Sequence, residues 1–266
     1  MTQTVGEGTC MFCNINRKIN PVDLGENDTC RIFENAWPYP GHAWHLVLAT
    51  KLHWTELSHV TNQGAIELMQ LAVQMVKQYE IPGGAHVLRF GDHDYNAGTL
   101  RHLHFQTQGP NLLQHAFVTL GKPNEMQTEE AVAMLEGSLV HKPDFQDFHD
   151  RAYWYVRKDH NPRPHVKMQF EVQLKHGADL RLDFPPAAIE LFDTLRDLER
   201  ESGMPGGAFV TKFGDPRYHG YYSPVHSRHP IGWVVFPDNT GPVFETLVLP
   251  KNRGQIMRFI DKLYKK

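Results

Sequence analysis

Apolar residues along the chain follow two periods. Ala65, Leu68, Met69, Ala72, Val73 and Val76 recur at the spacing of one helical face, which predicts a helix over 62–79. Pro82-Gly83-Gly84 stops it. Around that helix, 31–34, 44–50, 85–90 and 100–108 read as strands, short and rich in branched and aromatic residues. The succession then returns. Residues 166–174 form a strand with Met168, Phe170, Val172 and Leu174 on one face, 186–201 a helix, and 209–213 and 233–236 strands. The stretch 123–150 reads as a helical connector, and 253–264 as a closing helix. Strands in sets with one helix per set predict an α+β fold, an antiparallel sheet carrying a helix per unit.

The return is also one of residues. Ala65-Ile66-Glu67-Leu68 recurs 123 positions later as Ala188-Ile189-Glu190-Leu191, Pro82-Gly83-Gly84-Ala85 as Pro205-Gly206-Gly207-Ala208, and Phe90-Gly91-Asp92 as Phe213-Gly214-Asp215. Between Ala65 and Tyr95, 13 of 31 positions match without a gap. At the same offset His42 meets His165 and His53 meets His176. The reading is duplication of one unit: a first unit over 1–122, the connector over 123–150 and a second unit over 151–266. Such a chain can supply internally the pairing that single units obtain by dimerising. A pseudo-dimeric monomer is expected, with a homodimer as the alternative.

Composition narrows the function classes. The 266 residues are 41% apolar and 21% charged, ordinary globular proportions, with a net charge of −3. No long-range field would draw in nucleic acid or an anionic membrane. No apolar run approaches the roughly 18–20 residues of a membrane helix, and Met1 to Thr9 has no apolar signal core. A cytoplasmic location is the default expectation. Three cysteines argue against a disulfide scaffold. Histidine, at 17 residues, is in excess and matters where it clusters.

The chemistry concentrates in His102-Leu103-His104-Phe105-Gln106-Thr107-Gln108. On a strand, His102, His104, Gln106 and Gln108 share one face, while Leu103 and Phe105 turn to the other. Taken alone, such a row also suits a solvent-facing strand. Upstream, however, Asn96-Ala97-Gly98-Thr99 is a turn able to offer backbone N–H groups and a hydroxyl to an anion, and Arg101 adds a cation.

This alternation resembles the signature of the histidine-triad superfamily. The third histidine usual in its hydrolases is here Gln106, so the segment is similar to the His-x-His-x-Gln transferase branch, which includes galactose-1-phosphate uridylyltransferase and diadenosine tetraphosphate phosphorylase. Glu34-Asn35 and Pro40-Gly41-His42, with the strand up to Thr50, resemble the family's preceding strands. The resemblance spans about residues 10–110 and reaches the second half through the repeat. It implies two histidine-triad-like units and a nucleotide, nucleotide-sugar or dinucleoside polyphosphate substrate. It also implies His104 as the nucleophile that takes up a nucleotidyl group, with Gln106 stabilising the phosphate. Glu34, Asn35, Asn96, Gly98, Thr99 and Arg101 are the candidate substrate contacts. A neutral carboxamide cannot donate a proton at pH 7, which suits exchange between phosphate groups, because a phosphate leaving group needs little protonation. The alternatives are a hydrolase of dinucleoside polyphosphates or nucleotide conjugates, and a nucleotide-binding module without turnover. The branch commonly carries asparagine eleven residues before the first histidine. Here that position is Gly91, which leaves its contact to another residue, Asp92 or Asn96.

Cys10 and Cys13 form a Cys-x2-Cys pair, a metal or redox spacing. The family resemblance extends it to a structural zinc site of Cys10, Cys13, His53 and His102. Thiolates with imidazoles in a closed tetrahedral set suit zinc. Cys30 is expected to be a small buried residue.

The second unit does not repeat the row. At the constant offset His102 falls on Val225, His104 on Ser227 and Gln106 on His229, while Cys10 and Cys13 fall on Ala133 and Glu136. A single active site is therefore expected, with the second unit as scaffold. His160, Arg163, His165, Arg217, His219, His226 and His229 are candidates to reach the site from it.

Overall fold

The computed structural model describes residues 10–13, 23–36, 38–98, 100–121, 128–139, 141–175, 182–219 and 231–248. The expected closing helix over 253–264, Thr99, His176, His226 and His229 lie outside them.

Five strands of the first half are β1 (Asp23–Glu26), β2 (Cys30–Glu34), β3 (His42–Thr50), β4 (Gly83–Gly91) and β5 (His104–Pro110). Helix α1 (Asn62–Gln78) joins β3 to β4, and Thr61 caps it by accepting from the N–H of Gly64 at 3.0 Å. After β6 (Ala116–Gly121) and α2 (Thr128–Leu139) come β7 (Phe145–Asp150), β8 (Trp154–Asp159) and β9 (Val166–Leu174). Helix α3 (Pro185–Ser202) follows, with proline in its first turn and left-handed Gly203 closing it. Then come β10 (Gly206–Gly214), β11 (Ile231–Pro237) and β12 (Val243–Val248).

Ten strands form one antiparallel sheet in the order β1-β2-β3-β5-β4-β10-β11-β9-β8-β7. Read outward from the centre, both halves have the same order. At the centre β4 pairs with β10 over its full length, and Val87 faces Val210, its partner at the offset of 123. A pseudo-two-fold axis passes between them. Gly91 pairs with Gly206 and Gly83 with Gly214 at the two ends of this ladder. Gly91 adopts φ +72°, and a Cβ there would lie 2.3 Å from the carbonyl oxygen of Pro205; Gly214 mirrors it against Pro82. Glycine at 91 thus answers to the junction of the two halves.

Helices α1 and α3 cover one face of the sheet, where Leu48, Leu88, Phe90, Phe105, Phe170, Val172, Phe209 and Phe236 are buried with Leu68, Met69, Phe192 and Leu195. Each such side chain contributes roughly 1.5–3 kcal/mol by leaving water. The central part of the opposite face is packed by a two-stranded ribbon of β6 and β12, whose Val118, Leu120, Val243 and Leu247 meet Val87, Val210, Trp233 and Val235. Among the described residues no helix is long and apolar enough to cross a membrane.

Several expectations change. The connector over 123–150 is helical only at Thr128–Leu139; Phe145–Asp150 is the edge strand β7, held by pairing with β8 and by Arg157 over the Phe145 ring. Strands β1, β6, β8 and β12 are additional to those expected. The constant offset of 123 holds from α1 through β4 and the 3-10 turn after it, where His93–Tyr95 corresponds to Pro216–Tyr218. The connection from β9 to α3 is one residue shorter than that from β3 to α1, so β3 corresponds to β9 at 124 and His42 meets Val166, not His165. The connection from β10 to β11 is four residues longer than that from β4 to β5. The strand pairings then set His104 against Ile231, Gln106 against Trp233 and Gln108 against Val235, replacing Ser227 and His229 as the counterparts. Where the first unit carries a polar row, the second carries apolar core.

Candidate functional site

The expected strand over 100–108 begins only at His104. His102 and Leu103 precede it because the loop after β3 engages them instead: the N–H of Leu103 donates to Trp54 O at 2.6 Å, and Thr50 Oγ1 donates to Leu103 O. From His104 on, alternation is regular. His104, Gln106 and Gln108 lie across from Arg89, Val87 and Ala85 of β4 and from Ala49, Val47 and His45 of β3. Directly opposed residues share a face. Arg89 and His45 therefore join the polar row, and all five side chains are buried, from 0% exposure for Gln108 to 8% for Gln106.

His104 Nδ1 lies 2.7 Å from the carbonyl oxygen of His102. That nitrogen carries the proton and donates it, which leaves the Nε2 lone pair unprotonated. Burial pushes the His104 pKa down to about 3, against the hydrogen bond to His102, and the charge of Arg89 lowers it further. The ring is neutral at pH 7. His45 is also held well below its ordinary value by burial, then by His42.

Gln106 is oriented by its neighbours. Its Oε1 accepts from Gln108 Nε2 at 2.7 Å and from Arg89 Nη2 at 3.5 Å, with His45 Nε2 at 3.4 Å. An oxygen turned to these donors directs the amide NH2 group away from them. Asn35 supports this shell, its Nδ2 lying 3.1 Å from His45 Nε2 and its N–H donating to His45 O. Glu34 is exposed at the end of β2, and Arg101 is exposed in the turn before β5.

Asn96 is buried, but both ends of its side chain are engaged by the turn: Nδ2 donates to Phe90 O and Oδ1 accepts from the N–H of Gly98. Its carbonyl accepts from Arg89 Nη1. Asn96 and Gly98 thus build the turn and anchor Arg89. Asp92, the other residue considered for the missing asparagine contact, accepts from the N–H of Asp94 and starts a 3-10 turn.

Cys10, Cys13, His53 and His102 converge, with one ligand atom from each all within 4.8 Å of one another. His102 Nδ1 stands 3.3 Å from Cys10 Sγ and 3.6 Å from Cys13 Sγ, and His53 Nδ1 stands 3.1 Å from Cys13 Sγ. A tetrahedral zinc ion with bonds of about 2.0–2.3 Å separates its ligand atoms by about 3.5 Å, so the donor set fits. His102 Nε2 donates to Thr50 O at 2.8 Å, which fixes the tautomer that turns Nδ1 toward the thiols. Phe12, between the two cysteines, packs on the rings of His102 and His104. Cys30 is fully buried, as expected, and burial raises its thiol pKa.

Phe12, His45, Arg89 and Gln108 had no assigned role in the sequence reading. For Arg89 the available signal was parity: it belongs to an expected strand but carries a charge where its neighbours Leu88 and Phe90 are apolar. Of the second-unit candidates, Arg163 bonds to Gln169, Glu245 and the carbonyl of Phe244. His165 lies near Thr240, and Arg217 pairs with Asp215. His219 is buried, and its carbonyl accepts from Lys212. None of these contacts involves the His104 row.

No family model and no curated protein matches the sequence. Solved structures do match in fold. A DUF4931 family protein from Bacillus cereus ATCC 10987 gives a TM-score of 0.50 at 13% identity, over 92% of this chain and 100% of that one. A structure described as a uridylyltransferase gives 0.46 at 14% identity, over 98% and 93%. Yeast Ap4A phosphorylase gives 0.46 at 13% identity, over 96% and 78%. At these identities the likeness is one of fold alone.

Proposed function

We propose that the chain is an enzyme that transfers a nucleotidyl group between phosphate-bearing partners through a covalent intermediate on His104. The observation that carries this reading is the 2.7 Å contact from His104 Nδ1 to the His102 carbonyl, which makes a neutral imidazole with a free Nε2. In the first step Nε2 bonds to the α-phosphorus of a nucleotide, nucleotide sugar or dinucleoside polyphosphate. The bond from that phosphorus to the bridging oxygen breaks, and its electron pair leaves on the departing phosphate. In the second step a phosphate oxygen of the acceptor bonds to the same phosphorus, and the P–N bond returns its electrons to Nε2.

The Gln106 amide, with its oxygen turned to Gln108 and Arg89, has its N–H groups available for a non-bridging phosphate oxygen in both steps. No residue of the row is a proton donor of ordinary acidity at pH 7, and a phosphate leaving group requires none. Cys10, Cys13, His53 and His102 would hold a zinc ion, whose contribution is a structural cross-link between the N-terminal segment and the start of β5. The apolar Ile231 and Trp233 at the corresponding places of the second unit support one active site per chain.

The test is incubation with nucleotides, nucleotide sugars and dinucleoside polyphosphates labelled at the α-phosphorus. An acid-labile protein adduct that disappears on adding phosphate or a sugar phosphate supports transfer. Turnover that ignores these acceptors and follows water supports the hydrolase alternative. Undiminished turnover by His104→Ala overturns the nucleophile.

A further inference from the structure

We propose that Arg89 is the anion-binding cation of this site, and that its guanidinium takes a negatively charged non-bridging oxygen of the phosphate presented to His104. The location rests on the function proposed above; the anion-binding claim itself does not require a covalent step.

Arg89 is 2% exposed and pairs directly across the ladder with His104. A guanidinium stays charged at any physiological pH. Its partners are the carbonyl of Asn96 and, at 3.5 Å, the amide oxygen of Gln106, both neutral. Among the described residues no carboxylate forms an ion pair with it. An isolated buried charge is costly, and proteins ordinarily provide an opposite charge.

The second unit shows what providing one looks like. Lys212 occupies the position equivalent to Arg89, and its Nζ donates to the carbonyl of His219 at 2.7 Å, as Arg89 does to the equivalent Asn96. Lys212 also meets Glu245 Oε1 of β12 at 2.6 Å, and Arg163 Nη1 lies 3.1 Å from the other oxygen of the same carboxylate. By strand correspondence, Glu245 matches Val118 of β6. One half of the molecule neutralises this cation from within. The half carrying His104 places a valine at the neutralising position and leaves the charge for a ligand. The ligand class is an anionic phosphate or phosphodiester next to His104, and an uncharged nucleoside lacks the required group.

The test is calorimetric binding of nucleoside 5′-monophosphates, inorganic pyrophosphate and the matching uncharged nucleosides to the full chain and to Arg89→Met and Arg89→Lys. The proposal expects Arg89→Met to lose about 10- to 100-fold in affinity for the phosphates, the effect of a lost charge-assisted hydrogen bond. It expects no change for the nucleosides and partial recovery in Arg89→Lys. A merely structural arginine would lower stability on removal. The proposal expects ligand-free Arg89→Met to melt at or above the wild-type temperature, because an unpaired buried charge has gone. Lys212→Met, which leaves the buried Glu245 with Arg163 as its one remaining cation among the described residues, should melt lower while binding phosphates normally. Equal phosphate affinity in Arg89→Met, or no phosphate binding by the wild type, overturns the proposal. Loss of phosphate binding in Arg89→Met with no adduct in the wild type would uphold it while removing the covalent mechanism.

Discussion

The ring of Phe12 meets the imidazole of His104 edge-on, with 5.2 Å between centroids. Phe12 lies between Cys10 and Cys13, so the loop that gathers the thiols also packs on the proposed nucleophile. It meets His102 at 5.4 Å and Phe33 at 5.4 Å as well. A ring held on three sides confines His104 only while its loop is held.

Metal removal should therefore act on the site as well as on stability. Protein purified without chelator is expected to contain one zinc per chain by elemental analysis. Chelation should lower the melting temperature and reduce nucleotidyl uptake together. Phe12→Ala should keep the zinc and still lose uptake, because the contact with His104 is gone. A chelated protein that melts unchanged would remove the metal from the account.

Exchange at Gln106 should divide acceptor choice from nucleophilic attack. Gln106→Ala removes an N–H donor from the phosphate and should cost about 100- to 1,000-fold in rate, the scale of one lost oxyanion donor. Gln106→His restores an ionisable group at that place and should raise the share of adduct released to water. Product ratios with and without added phosphate measure this. An unchanged ratio in Gln106→His would show that the residue does not select the acceptor.

Stability should fall with rising pH through one identified carboxyl. Glu199 of α3 lies in a cleft shared with Ser58, Arg151, Asp193, Arg196, Asp197 and Arg200. Burial, reinforced by Glu56, raises its pKa from 4.5 to about 7. The folded state thus holds the proton more tightly than the unfolded one. The stabilisation is fully present below about pH 4.5 and is lost as pH rises through about 7. Because the side chain is partly exposed, about 1 kcal/mol is expected, well short of the full shift. Melting curves of the wild type and Glu199→Gln from pH 5 to 8.5 should converge at the acid end and separate at the alkaline end, with the variant more stable. Parallel curves would assign the effect elsewhere.

Much of this architecture is legible in residue order, because helices and strands impose different periods on apolar residues. Strand β9 matches its expected bounds, and α1 and α3 lie within a residue of theirs. The convergence of Cys10, Cys13, His53 and His102 was also legible, through the family resemblance that joined two histidines to the Cys-x2-Cys pair. The polar edge strands β1 and β7 were less so, because pairing with β2 and β8, rather than their own pattern, holds them in place. The second-unit register was hidden by loop length. A connection longer by four residues moves Ile231 onto the place of His104, and only strand pairing reveals it. Arg89 was hidden for a related reason: its significance depends on facing His104 and on the missing counter-charge, both properties of the assembled sheet.

The central claim is tested most directly by the intact mass of the protein at neutral pH after brief exposure to a nucleotide donor, for wild type and His104→Asn. The account predicts a mass increase of one nucleotidyl group in the wild type, mapped to the peptide carrying His104, reversed by acceptor phosphate and absent from the variant. An adduct that persists in His104→Asn, or turnover by that variant at the wild-type rate, would contradict it.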